Sequence, residues 1–213
     1  MSAVITENLN ISYNNIPIIQ NLNIHIAEGE KVVVTGDSGT GKTTLLNALL
    51  GFVPAFSGKI SLMGKELNQD TVQELRSNTA FLPQEISFSI GQAKDIFFEP
   101  FTFRQNKEHR PLYNKIVEIF SYLNLPEASY EKDFGELSGG QKQRILLASV
   151  FLLKKDLILL DEPTKGLDEK AIEKVIDLFS RETDKTIIAT SHHPKWIERS
   201  DKQINIENYA PNS

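Results

Sequence analysis

Residues 31–51, KVVVTGDSGTGKTTLLNALLG, constrain the fold more than any other part of the chain. The run KVVVTG at 31–36 is short and continuously apolar, which suits a strand buried on both faces rather than one with a wet side. KTTLLNALLG has helical apolar spacing and closes on Gly51. Between them lies GDSGTGKT, residues 36–43, which fits G-x-x-x-x-G-K-[ST]. A buried strand that feeds a helix through such a loop commits the chain to layered α/β architecture. The loop's backbone N–H groups, from Ser38 and Thr40 through Thr43 and on to Thr44, are suited to wrapping a β-phosphate. Gly36, Gly39 and Gly41 permit the close approach and unusual φ angles this requires, with Asp37 inside the same turn. Lys42 would reach the β- and γ-oxygens, and the Thr43 hydroxyl would face Mg²⁺.

Before this segment, Leu9, Ile11 and Tyr13, and again Leu22, Ile24 and Ile26, alternate with polar residues, the pattern of half-buried strands. YNN at 13–15 and EGE at 28–30 are turns between them. Strands are also expected at 58–67 and 79–84. From 85 to 136 strand signals fade, and LYNKIVEIFSYLNL at 112–125 reads as an amphipathic helix. DLILLDEP at 156–163 returns to a buried strand, EKAIEKVIDLFSRE to a helix, and KTIIATSHH to a strand that runs into two histidines. The alternation predicts a mainly parallel sheet with a helical insertion near the middle. The polar tail after Ile206 is expected to be frayed.

LILLDEP carries two acids to the carboxyl end of a strand, the edge at which open α/β sheets bind ligands. Asp161 is placed to hold Mg²⁺ through its water shell, and Glu162 to orient or deprotonate an attacking water. LSGGQ at 137–141 poses a separate question. Ser138 and Gln141 have capping-box spacing. Gly139 and Gly140 cost about 1 kcal/mol each as helical residues relative to alanine. Bare glycines at a helix start leave backbone N–H groups open to an anion.

Taken together, GDSGTGKT, FLPQE, LSGGQKQR, LILLDEP, GLD and TSHH resemble the nucleotide-binding subunit of an ABC transporter, in that family's order and over nearly the whole chain. The resemblance implies an α/β P-loop NTPase core with an N-terminal antiparallel β subdomain and a helical insertion. The core would comprise residues 1–84 and 137–213, and the helical subdomain residues 85–136. It implies ATP and Mg²⁺ as ligands, ATP hydrolysis as the activity, and a head-to-tail homodimer. In that dimer Ser138, Gly139, Gly140 and Gln141 of one copy face the γ-phosphate held by the other. Tyr13 resembles the aromatic that stacks on adenine, and Gln84 the Q-loop glutamine of the Mg²⁺ shell. Asp168 resembles the D-loop aspartate, with a helix N-cap as its second reading. His192, rather than His193, resembles the switch histidine. Departures from the family pattern are Ser149 where an arginine is usual, Lys155 where a proline is usual, and Lys165 where a small residue is commoner. The first two imply altered packing.

The resemblance also implies transmembrane permease subunits as partners, on a separate chain, and a cytoplasmic location at the inner membrane face through them. The phenylalanine-rich stretch 86–103 is expected either to line the groove that receives a permease helix or to form the core of the helical insertion. The general layout resembles ATPases paired with small iron- or metal-export permeases. A soluble relative acting in DNA repair or translation is the alternative, but such proteins carry long insertions or fused nucleotide domains. A GTPase would need an N-K-x-D tetrad, which this sequence lacks, and LSGGQ would have no purpose in it. The net charge of −5 argues against nucleic acid as a general partner, and the absence of cysteine excludes disulfides and thiolate metal sites.

Overall fold

The computed structural model describes residues 1–53, 56–85 and 91–211. The chain begins with a long antiparallel hairpin, β1 (Ser2–Tyr13) and β2 (Ile16–Ala27), followed by β3 (Lys31–Thr35) and α1 (Lys42–Leu49). Then come β4 (Phe56–Leu62), β5 (Lys65–Glu66), α2 (Val72–Ser77) and β6 (Thr79–Leu82). The helical stretch holds α3 (Ala93–Phe98), α4 (Tyr113–Tyr122) and several 3₁₀ turns. α5 (Gly139–Leu152), β7 (Leu157–Asp161), α6 (Glu169–Ser180), β8 (Thr186–Thr190), α7 (Pro194–Glu198) and β9 (Lys202–Asn205) complete the chain.

The strands form two sheets. One is antiparallel, in the order β2-β1-β4-β5, and the other is parallel, in the order β6-β7-β8-β3-β9. The inner parallel strands β3, β7 and β8 are buried along their whole length because both faces are covered, and their successive side chains divide between two cores. Val33, Ile158, Leu160, Ile187 and Ala189 join α3, α4, α5 and α6 on one side. Val32, Val34, Leu157, Leu159 and Ile188 join α1 and the antiparallel sheet on the other.

The phenylalanine-rich stretch resolves in favour of a core, apart from Phe88, which lies outside the described residues. Phe97 and Phe101 are buried and stack at 6.0 Å. Phe97 also meets Phe120 and Tyr130 edge-on. These rings pack with Ile96, Ile116 and Ile119 in one cluster, where each large aromatic side chain buries much apolar surface. Only Phe103 among the described phenylalanines of this stretch is an exposed large hydrophobe. The groove reading therefore does not hold for Phe97 or Phe101.

The chain end also departs from expectation. After β9, which lies beside β3, the first residues of the tail, Glu207 to Tyr209, continue as a 3₁₀ turn anchored by the fully buried Ile206 rather than fraying. The register of β9 was not legible because KQIN, at a sheet edge, lacks an apolar pattern.

Ser149, in place of the usual arginine, donates its hydroxyl to the Phe97 carbonyl at 2.7 Å and ties α5 to α3 in the core. Ser149→Ala should destabilise the fold by about 1–3 kcal/mol, because a buried carbonyl loses its donor. The denaturant midpoint measures this, and an unchanged midpoint would show that the Phe97 carbonyl has another donor.

Candidate nucleotide site

Four neighbouring parallel strands deliver their carboxyl ends to one edge. β6 leads to Gln84, β7 to Asp161 and Glu162, β8 to Ser191 and His192, and β3 to the glycine loop. The register is explicit at the centre, where Thr190 of β8 stands level with Asp161 of β7 and with Val34 of β3.

The glycine loop is tightly built. A Cβ on Gly36, whose φ is +138°, would lie 2.7 Å from Ile206 Cγ2 and 2.9 Å from Thr40 Oγ1. One on Gly41, with φ +104°, would lie 2.8 Å from Ile18 Cγ2 of β2. Both positions therefore require glycine on grounds of conformation and of space. The Lys42 ammonium bridges the loop, donating to the Gly36 carbonyl at 2.6 Å and to the Asp37 carbonyl at 2.8 Å. The Thr40 hydroxyl also donates to the Asp37 carbonyl. From the chain end, Glu207 Oε1 accepts from the Asp37 N–H at 2.8 Å. α1 starts at Lys42, so the N–H groups of its first turn have no intrahelical acceptor and face any anion placed before them.

Asp161 is fully buried. Its Oδ1 accepts from the Thr190 hydroxyl at 2.7 Å, while its Oδ2 has no hydrogen-bond partner among the described residues. The same Thr190 oxygen accepts from the Glu162 N–H at 2.8 Å. Glu162 has φ +47°, a left-handed conformation that non-glycine residues adopt rarely, and this hydrogen bond helps to fix it. His192 Nε2 lies 3.1 Å from Lys42 Nζ and 3.7 Å from Glu162 Oε1. His193 points elsewhere. It caps α7 through its ring and pairs with Glu169, whose carboxyl is held below its usual range by Lys195 and His193.

A cavity of about 420 Å³ gathers Ser38, Gly39, Gly41, Lys42, Thr43, Thr44, Gln84, Glu162 and His192, all expected from sequence, and adds Lys165. A larger concavity, about 680 Å³, lies between α4 and the ends of α5 and α6, and none of the motif residues lines it.

The other expected residues stand outside the smaller cavity. Tyr13 continues the apolar alternation of β1, yet its ring is 64% exposed, next to exposed Ile16 at the hairpin tip. Ile18, two residues further along β2, abuts Gly41, so this apolar tip lies close to the loop. Asp168 caps α6 by accepting from the Ala171 N–H. Ser138 and Gln141 form the complete capping box.

The two signature glycines differ. A Cβ on Gly140 would lie 3.3 Å from the Gly166 carbonyl, so close packing inside the chain already favours glycine there, whereas one on Gly139 would meet nothing within 4 Å. Gln143 donates to the Pro163 carbonyl at 3.1 Å, tying α5 to the loop after Glu162. Thr190 and Glu207 carry no role in the sequence motifs: Thr190 stands in TSHH just before the histidine pair without its hydroxyl being marked, and nothing in the polar tail marks Glu207.

A family model described as ABC transporter matches residues 19–165. The chain is 31% identical over 191 residues to the energy-coupling factor transporter ATP-binding protein EcfA2 of Acetivibrio thermocellus, covering 85% of this chain and 67% of that protein. It is 31% identical over 210 residues to the mesentericin-Y105 transport/processing ATP-binding protein MesD of Leuconostoc mesenteroides. That alignment covers 97% of this chain but only 29% of the relative, so the chain spans less than a third of that longer protein. In structure it resembles the ATP-binding cassette MJ0796, solved as a dimer in a post-hydrolysis state with ADP and Pi. The TM-score is 0.81 at 25% identity, over 96% of this chain and 95% of that one. With the phosphate loop, buried aspartate, adjacent glutamate and histidine gathered at one sheet edge, the chain belongs to the ABC transporter family as one of its ATP-binding, ATP-hydrolysing domains.

Proposed function

We propose that two copies of this chain close head to tail around Mg-ATP and that hydrolysis reopens them, driving a transmembrane partner between two states. The observation that carries this reading is the position of the signature loop. None of residues 138–141 lines the cavity of its own chain, and Gly139 opens to free space. A helix start with its cap complete and one face bare is suited to a phosphate brought by another molecule. No described helix is long and apolar enough to cross a membrane. The partner we propose is a transmembrane permease, as the transporter names of its ATP-binding relatives suggest, with this chain on the cytoplasmic face.

Within the pocket, the first-turn N–H groups of α1 and the Lys42 ammonium hold the phosphates, and Tyr13 stacks on the adenine. The residues present fit Mg²⁺. Asp161 keeps a buried carboxylate oxygen without a partner, and Thr43 and Gln84 present oxygen donors to the cavity. This hard cation favours one or two such groups together with substrate phosphates. When bound, Mg²⁺ neutralises charge on the β- and γ-oxygens. Glu162 orients a water and takes its proton as the water oxygen bonds to the γ-phosphorus and the bond to the bridging oxygen breaks. His192, between Lys42 and Glu162, contacts the γ-phosphate. Asp168 extends toward the partner copy while capping α6.

Glu162→Gln should keep ATP affinity, lose about 100-fold or more in kcat, and accumulate an ATP-dependent dimer on gel filtration; a monomer with full turnover would refute the assigned base. Gly139→Arg should abolish the ATP-dependent dimer and leave ATP binding by the single chain intact, since among the described residues nothing lies within 4 Å of a Cβ there. Loss of binding to the single chain would mean that the loop serves its own nucleotide. Thr190→Val should lower kcat about tenfold with nucleotide affinity within twofold, and Thr190→Ser should restore it, because the hydroxyl fixes both acids. An equal loss of affinity and rate, not rescued by serine, would reduce Thr190 to a packing role.

A further inference from the structure

Lys165 belongs to no motif that the sequence analysis assigned to phosphate binding, yet it lines the nucleotide cavity with Gln84, Glu162 and His192. It sits three residues after Glu162, in a turn closed by its own N–H donating to the Glu162 carbonyl at 3.1 Å. The turn thus fixes the root of its side chain beside the proposed base. In the same cavity Lys42 is already committed, its ammonium bonded to two loop carbonyls and touching His192. Lys165 is bound much more loosely. Its partner is Glu85 at 3.9 Å, with the two side chains 54% and 84% exposed. So long and so wet a pair holds neither group firmly. A terminal phosphate, with more charge and several acceptor oxygens, outcompetes a single screened carboxylate.

We infer that Lys165 is a second phosphate-binding cation of the site, directed at the γ-phosphate, and that it favours a nucleoside triphosphate over the diphosphate. The inference rests on the ATP-binding reading and deepens it. Lys42 braces the cradle that both nucleotides share, whereas Lys165 lines the cavity beside Glu162 and His192, the two residues proposed to act at the γ-phosphate. When Lys165 turns to the phosphate it also releases Glu85, the residue after Gln84, so arrival of the terminal phosphate frees a contact between the loops that follow β6 and β7.

The test compares Mg-AMP-PNP, the non-hydrolysable imido analogue of ATP, with Mg-ADP by calorimetric titration, with sedimentation reporting the oligomeric state. Lys165→Ala should weaken AMP-PNP about five- to tenfold and ADP less than twofold, with an unchanged thermal midpoint, and Lys165→Arg should retain most of the preference. Lys42→Ala, the control, should weaken both nucleotides. Equal affinities for Lys165→Ala and wild type would overturn the inference while leaving the ATPase reading intact. So would a defect confined to dimer formation, which would assign Lys165 to the interface instead. A wild-type chain that bound neither nucleotide would overturn the ATPase reading, and this inference with it.

Discussion

The Thr190 hydroxyl is the point at which the sheet and the chemistry meet. A parallel strand covered on both faces can present polar groups only where it ends, and here four such ends lie side by side. Alignment of backbones alone would leave two adjacent acids, Asp161 and Glu162, free to choose their own directions. Thr190 restricts that freedom: its hydroxyl donates to the Asp161 carboxylate, and its oxygen accepts from the Glu162 N–H, fixing the main chain from which the Glu162 side chain starts. Because Thr190 is fully buried, water does not compete for either bond. Its neighbour β3 supplies the phosphate loop, so the register between β3, β8 and β7 sets the spacing between cradle and acids.

The rest of the loop is braced from outside the sheet. Gly41 is pressed against Ile18 of the antiparallel hairpin, Gly36 against Ile206, and the Asp37 N–H is held by Glu207. The first and last segments of the chain therefore converge on the same eight residues. A loop that must present N–H groups to an anion cannot satisfy them within itself, so its shape has to be imposed by its surroundings. This explains why the polar tail is ordered as far as Tyr209.

Much of this was legible in the sequence because each motif carries its own local physics. The run VVV announces a strand with two covered faces, Ser138 with Gln141 a capping box, and Asp168 a helix start, and all three occur as read. The choice of His192 over His193 also agrees with the geometry, since one ring faces Lys42 and the other caps α7. What stayed hidden depends on contacts distant in sequence. Glu207 meets Asp37 across 170 positions, and no periodicity in a polar tail encodes that. The phenylalanines of the helical stretch were ambiguous for a related reason: a ring's place in a core or on a groove depends on which neighbours the fold brings, and Phe120 and Tyr130 arrive from later segments.

The two signature glycines are not equivalent. Helix propensity penalises both about equally, at roughly 1 kcal/mol each. Gly140 recovers part of that cost inside the chain, because a Cβ there would sit tightly, 3.3 Å from the Gly166 carbonyl. Through this contact, and through Gln143 on the Pro163 carbonyl, the position of the signature helix follows the loop beyond Glu162. Gly139 recovers nothing within its own chain. In the proposed dimer that cost would be offset by charge-assisted hydrogen bonds from the bare helix start to the partner's phosphate, at about 1.5–3 kcal/mol each. On that reading the surface would be unfavourable alone and favourable against a triphosphate, so association would depend on nucleotide, and the loop after Glu162 would feel it through Gly140 and Gln143.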